Sequence, residues 1–161
     1  MKRTKLNKVM IALDYDPTSQ NVATVGFSMA SAMNAEVTLL HIISDPVYYS
    51  STAYSPIMGF TGEVEILPMQ QDNLGGLKAI SQHFLEKFKL HLGDESIKIL
   101  VEEGDFATTI LKTAKSIHAD VIVVGSHSRK WLEDIVLGSV TMDVLRHSTI
   151  PLFIVPTKKP G

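Results

Sequence analysis

Two stretches of this sequence carry residue types suited to capturing an anionic ligand. The first is Asp14-Tyr15-Asp16-Pro17, which follows the apolar run from Lys8 to Leu13. The second is Gly125-Ser126-His127-Ser128-Arg129-Lys130, which follows another apolar run and is succeeded by Gly138-Ser139-Val140-Thr141. Glycine followed by hydroxyl residues at a helix start is what phosphate recognition requires. Free backbone N–H groups and the positive end of the helix dipole attract an anion, and Gly138 lets the backbone approach it closely. Ser139 and Thr141 can add hydroxyl donors, while Arg129 and Lys130 keep positive charge nearby. A plain helix cap at Ser139 and a solvated loop at Arg129 and Lys130 account for the same residues.

Other reactive side chains point to less. The chain has no cysteine, which removes disulfides, thiolate metal sites and thiol nucleophiles together. Six histidines are present, but none forms an i, i+4 pair, and a zinc site is not expected. His41 lies in a buried strand and is expected to satisfy a hydrogen bond there. Asp14 with Asp16, and Glu102 with Glu103, are potential carboxylate pairs. A hydrolase would also need a positioned acid and a shaped cleft, so they are read as strand-end caps.

The elements that position these residues follow from apolar patterning. Lys8–Leu13, Glu36–Ile43, Asp120–Val124 and Pro151–Val155 are nearly continuously apolar and β-branched, which predicts strands buried on both faces. Ile97–Glu102 alternates and predicts a strand nearer an edge. Between them, Val22, Val25, Met29 and Met33 recur at helical spacing after Pro17-Thr18, with Asn34 as a stop. Leu77, Ile80, Phe84, Phe88 and Leu92 form a second stripe closed by Gly93. Asp105 caps a third helix, and Ser139 a fourth that turns Val140, Val144 and Leu145 inward. The order β-α-β-α-β-α-β-α-β implies right-handed crossovers and a doubly wound, mostly parallel α/β sheet. Ligands of such sheets sit at the carboxyl ends of the strands, where the winding reverses.

The 161 residues fit a single domain spanning 1–161, with an irregular insertion at about 45–76 that is rich in proline and aromatics. Fifteen basic and 17 acidic residues give a formal net charge of −2, too balanced for an electrostatic grip on nucleic acid. No apolar run is long enough for a signal core or a membrane span, so a cytoplasmic protein is expected.

Val123-Val-Gly-Ser-His-Ser-Arg129, Leu137-Gly-Ser-Val140 and Val144 through Val155 resemble the C-terminal half of the universal stress protein family. Lys8–Asp14, Ala35–Ile42, Gly104-Asp105 and Ala119–Gly125 resemble its other segments in the same order. The resemblance implies a Rossmann-like five-stranded parallel sheet of order 3-2-1-4-5 with about four helices, usually dimeric through the last strand, here 151–155. It also implies ATP or AMP, with Mg²⁺, as ligand of a stress-response module whose turnover is at most slow and whose downstream protein partner is unspecified. The implied binding positions are Leu13, Asp14, Ile42, Val124, Gly125, His127, Ser128, Gly138, Ser139, Val140 and Thr141. Among them Asp14 lies near ribose and metal, and Ile42 near adenine. The ATP-binding pattern of that family is G-x-x-G, nine residues, then G-[S/T]; here Ser128 replaces the second glycine. Where that glycine needs a positive φ, serine costs about 1 kcal/mol or more. Where it serves close approach, a hydroxymethyl group either blocks phosphate or donates to it. The competing reading is a dimeric interaction protein of the same family that has lost nucleotide binding. A phosphoacceptor receiver domain is disfavoured, because Glu102-Glu103-Gly104 stands where its aspartate is expected. Walker and G-x-G-x-x-G patterns are absent.

Overall fold

Five of the apolar runs form parallel strands in a computed structural model that describes residues 4–44, 74–126 and 138–157. Strand β1 spans Lys8–Ala12, β2 Glu36–Ile43, β3 Lys98–Glu103, β4 Val121–Gly125 and β5 Leu152–Val155. Helix α1 spans Ser19–Ala32, α2 Leu74–Leu92, α3 Phe106–Ser116 and α4 Ser139–His147. The sheet order is β3-β2-β1-β4-β5, and every neighbouring pair is parallel. Winding therefore reverses between β1 and β4.

Alternation along the strands divides the core into two layers. Val9, Ile11 and Leu39 pack with Val22 of α1 and with Phe84 and Phe88 of α2. Met10, Leu40 and Ile122 pack on the opposite face with Ile110 and Ala114 of α3 and Val144 of α4. Central strands are consequently nearly continuously apolar, the pattern that identified them.

The helix stops are local. Asn34 at φ 52° and Gly93 at φ 74° follow α1 and α2, the left-handed conformation that ends a helix and that these two residues tolerate. Asp105 caps α3, its carboxylate accepting the Thr108 amide at 3.1 Å. Gly104 before it has φ +136°, and an added Cβ would lie 2.6 Å from Thr109 Oγ1.

Four expectations change. β5 is an edge strand rather than one buried on both faces: Leu152, Phe153 and Ile154 are half-buried and only Val155 is buried. Leu145 does not turn inward but is 47% exposed, because Val140 and Val144 already set the packed face of α4. Ser139 is the first helical residue, and Gly138 occupies the cap position with no side-chain hydrogen bond. Helix α2 begins at Leu74 and takes in Gly75 and Gly76, which shortens the irregular segment at its C-terminal end. The remainder of that segment, 45–73, lies outside the described residues, as do His127, Ser128, Arg129 and Lys130.

Candidate functional site

Strand register brings the two candidate stretches to one level. Ile11 of β1 pairs with Val123 of β4, and Asp14 and Ser126 each lie three residues further on. Both therefore emerge at the carboxyl end of adjacent strands, at the reversal point where ligands of such sheets bind.

Asp14 is held by its own loop. Its Oδ1 accepts the Asp16 amide at 3.0 Å and faces Ser19 Oγ at 2.8 Å, while the Ser19 hydroxyl also lies 2.6 Å from the Asp14 carbonyl. Asp16 is occupied with Thr18, accepting its amide at 2.9 Å and its hydroxyl at 2.6 Å. Oδ2 of Asp14 has no partner among the described residues. Burial outweighs the hydrogen bonds and pushes the Asp14 carboxyl up to about 6. A carboxyl so raised at a strand end is the kind of strain that functional sites retain.

The other wall is the start of α4. The Gly138 amide donates to the Ser126 carbonyl at 2.8 Å, and the Met142 amide to the Gly138 carbonyl at 2.9 Å. Helix geometry leaves the N–H groups of Ser139, Val140 and Thr141 without intrahelical acceptors, and Gly138 has no side chain to cap them. Thr141 is buried, and its hydroxyl donates to the Gly125 carbonyl at 2.8 Å. Thr141 thus ties helix to strand, and its proton is not free for a ligand. Ser139 is exposed. The chemistry on offer is three backbone donors and a helix dipole opposite one carboxylate, an arrangement for an anion carrying a hydroxyl or a cation.

The remaining expected residues divide. Ile42, Val124 and Val140 share the core layer beneath α3 and α4, Ile42 and Val124 being almost wholly buried. Leu13 is buried in the other layer and donates its amide to the Leu40 carbonyl at 2.8 Å. The Leu13 carbonyl accepts from Nδ1 of His41 at 2.8 Å, which meets the expectation of a hydrogen bond there. Nε2 of the same ring is buried without a partner among the described residues, and burial lowers the His41 pKa to about 4. Tyr15 covers that ring at a centroid distance of 4.2 Å and anchors its hydroxyl to Ser81 Oγ at 2.7 Å. Ser19 and Ser126 belong to the site and were not singled out from sequence. Ser19 is the first residue of α1, and nothing in the local sequence signalled that its hydroxyl reaches back to Asp14.

Among the described residues no group of three or more His, Asp or Glu side chains gathers around a metal position. One carboxylate suits an Mg²⁺ that arrives with phosphates supplying its other oxygens. The uncapped amides at 139–141 suit those phosphates, so a nucleotide with Mg²⁺ fits the donors present. No helix among the described residues is long and apolar enough to cross a membrane.

Comparison with known proteins agrees with the architecture. Universal stress protein MJ0577 of Methanocaldococcus jannaschii is 25% identical over 154 residues, covering 94% of this chain and 95% of that protein. Universal stress protein YxiE of Bacillus subtilis is 26% identical over 166 residues, covering 92% and 98%. The solved structure of MJ0577 superposes with a TM-score of 0.69 at 23% identity, covering 98% of this chain and all of that one. A universal stress protein solved in complex with cAMP superposes with a TM-score of 0.62 at 19% identity, over 96% of this chain. At these identities the solved structures speak for the fold. The model of the universal stress protein family matches residues 5–156, and the chain belongs to that family.

Proposed function

We propose that the protein is a nucleotide-binding stress-response module in which ATP or AMP, with Mg²⁺, occupies the cleft between the ends of β1 and β4. The observation that carries this reading is the start of α4, whose amides at 139–141 have no intrahelical acceptor and no side-chain cap from Gly138, bonded through Gly138 to Ser126 at the level of Asp14. Phosphates would lie against residues 138–141, and Asp14 Oδ2 would face the ribose or the phosphate-bound cation. The cAMP complex of a structural relative supports nucleotides as the ligand class. Bound nucleotide would alter a surface read by a protein partner, with no fast chemistry. We place the protein in the cytoplasm, as one domain whose insertion ends where α2 begins, and as a homodimer through the half-buried edge residues of β5. The second reading, an interaction protein of the family without nucleotide, is favoured only by Ser128.

A thermal-shift series with ATP, AMP and cAMP on protein stripped of bound ligand tests the first reading. A hundredfold excess over Kd stabilises by about 2.7 kcal/mol, which raises the midpoint by roughly 5–11 °C for a chain of this size. Ser128→Gly is expected to bind equally or more tightly. No shift with any nucleotide at millimolar concentration would leave the interaction protein as the reading.

A further inference from the structure

Ser126, which follows β4, is fastened from a third direction. Beyond the last paired residues of β4 and β5, Gly125 and Val155, the Ser126 amide donates to the Val155 carbonyl at 2.9 Å. The residues of β5 that bond β4 alternate along this parallel ladder, so the next amide due is that of Thr157, and the Ser126 carbonyl it would meet is taken by the Gly138 amide. Instead the Thr157 amide donates to Ser126 Oγ at 3.0 Å, and the two hydroxyls share a hydrogen bond at 3.2 Å. Ser126 is buried at 9% exposure. Its carbonyl simultaneously receives the Gly138 amide. One residue thus joins the segment after the edge strand to the residue that caps α4.

We infer that Ser126 and Thr157 form a clasp through which the segment following β5 positions the N-terminus of α4, coupling nucleotide occupancy to the order of residues 155–157. The inference rests on the nucleotide reading for its ligand, and on the hydrogen bonds above for its mechanism. The three uncapped amides bind an anion well only when held in one place, and α4 is held at its start by two bonds, Gly138 to Ser126 and Thr141 to Gly125. They end on Gly125, the last residue of β4, and on Ser126 just after it, which is fixed by the tail. Coupling of this kind is reciprocal: a ligand that orders α4 must order the tail by the same factor. The tail continues the half-buried edge strand, which gives occupancy of the cleft a route to a surface that a partner can read. Ser126 and Thr157 are positioning residues in this scheme.

Hydrogen exchange on the full-length protein, with and without ATP and Mg²⁺, tests it with three variants. Ser126→Ala removes the side-chain acceptor, Thr157→Pro removes the amide donor from the exposed side of the clasp, and Thr157→Ser keeps both groups. Without ligand, Ser126→Ala should exchange faster at 138–142 and at the Val155 and Thr157 amides only, Thr157→Pro, which has no amide at 157, at 138–142 and Val155 only, and Thr157→Ser should match the wild type. A general structural defect would raise exchange throughout the sheet. With ATP, the wild type should gain protection in both segments, and the first two variants, each of which loses both hydrogen bonds of the clasp, should bind at least about fivefold more weakly. Unchanged exchange at 138–142 in both variants, or ATP protection of 138–142 without 155–157, would overturn the clasp. A wild type that does not respond to ATP at all overturns the nucleotide reading and the coupling with it, while the ligand-free comparison decides the clasp separately.

Discussion

Asp14 and His41 titrate in opposite senses, and both are set by burial. The Asp14 carboxyl is raised from 3.8 to about 6. Its contribution to stability is therefore fully present below pH 3.8 and is lost as pH rises through 6, leaving a cost of about 3 kcal/mol at neutral pH. His41 is lowered from 6.5 to about 4, so the folded state loses a comparable amount as pH falls from 6.5 to 4. We expect Asp14→Asn to be more stable than the wild type at pH 8, by up to about 3 kcal/mol, and equal to it near pH 3.5. Denaturant melts across that range check this. A variant less stable at pH 8 would show that ionised Asp14 is compensated. A residue that costs stability in the free protein and stands at the strand end beside the start of α4 is best explained by what it does when ligand is present.

Helix α4 shows how an element turns ordinary backbone into a site. The cap residue Gly138 has φ −57° and ψ 156°, an extended conformation open to any residue, so the absence of a side chain rather than backbone freedom is what matters there. Gly138→Val should consequently fold with little change in melting temperature and lose nucleotide binding, because its side chain would stand before the amides of 139–141. Tighter binding by the Val variant would refute the site. The strands, Asp105 as a cap and Asn34 and Gly93 as stops were legible in the sequence, because each depends on neighbours in the chain. Asp14 and Gly138 were legible too, as a strand end and a glycine before hydroxyls. Ser139 was misread as the cap because serine commonly fills that place, and the choice between positions 138 and 139 depends on the Gly138 bond to Ser126. Leu145 and β5 were misplaced for a related reason: an apolar residue at an edge or on an outer helix face has the same spelling as one in the core. The Ser126 to Thr157 link spans 31 residues and has no local signal.

At the scale of the whole molecule, the sheet has two edges of different character. β3 carries charge at Lys98, Glu102 and Glu103, and Lys78 of α2 pairs with Glu103 at 2.9 Å, features that discourage strand pairing. β5 instead offers Leu152, Phe153 and Ile154, all half-buried. A homodimer through β5 would cover them, and Phe153→Lys should shift sedimentation from dimer toward monomer while circular dichroism confirms the fold; an unchanged oligomer would place the contact elsewhere. Edge strand, tail, Ser126 and α4 then form one continuous path from partner surface to cleft. The central claim is that the cleft holds a nucleotide, and calorimetric titration of stripped, folded wild-type protein with ATP and Mg²⁺ tests it most directly. The account predicts a saturable heat at one nucleotide per chain that disappears in Gly138→Val; no heat from the wild type, or equal heat from both proteins, would contradict it.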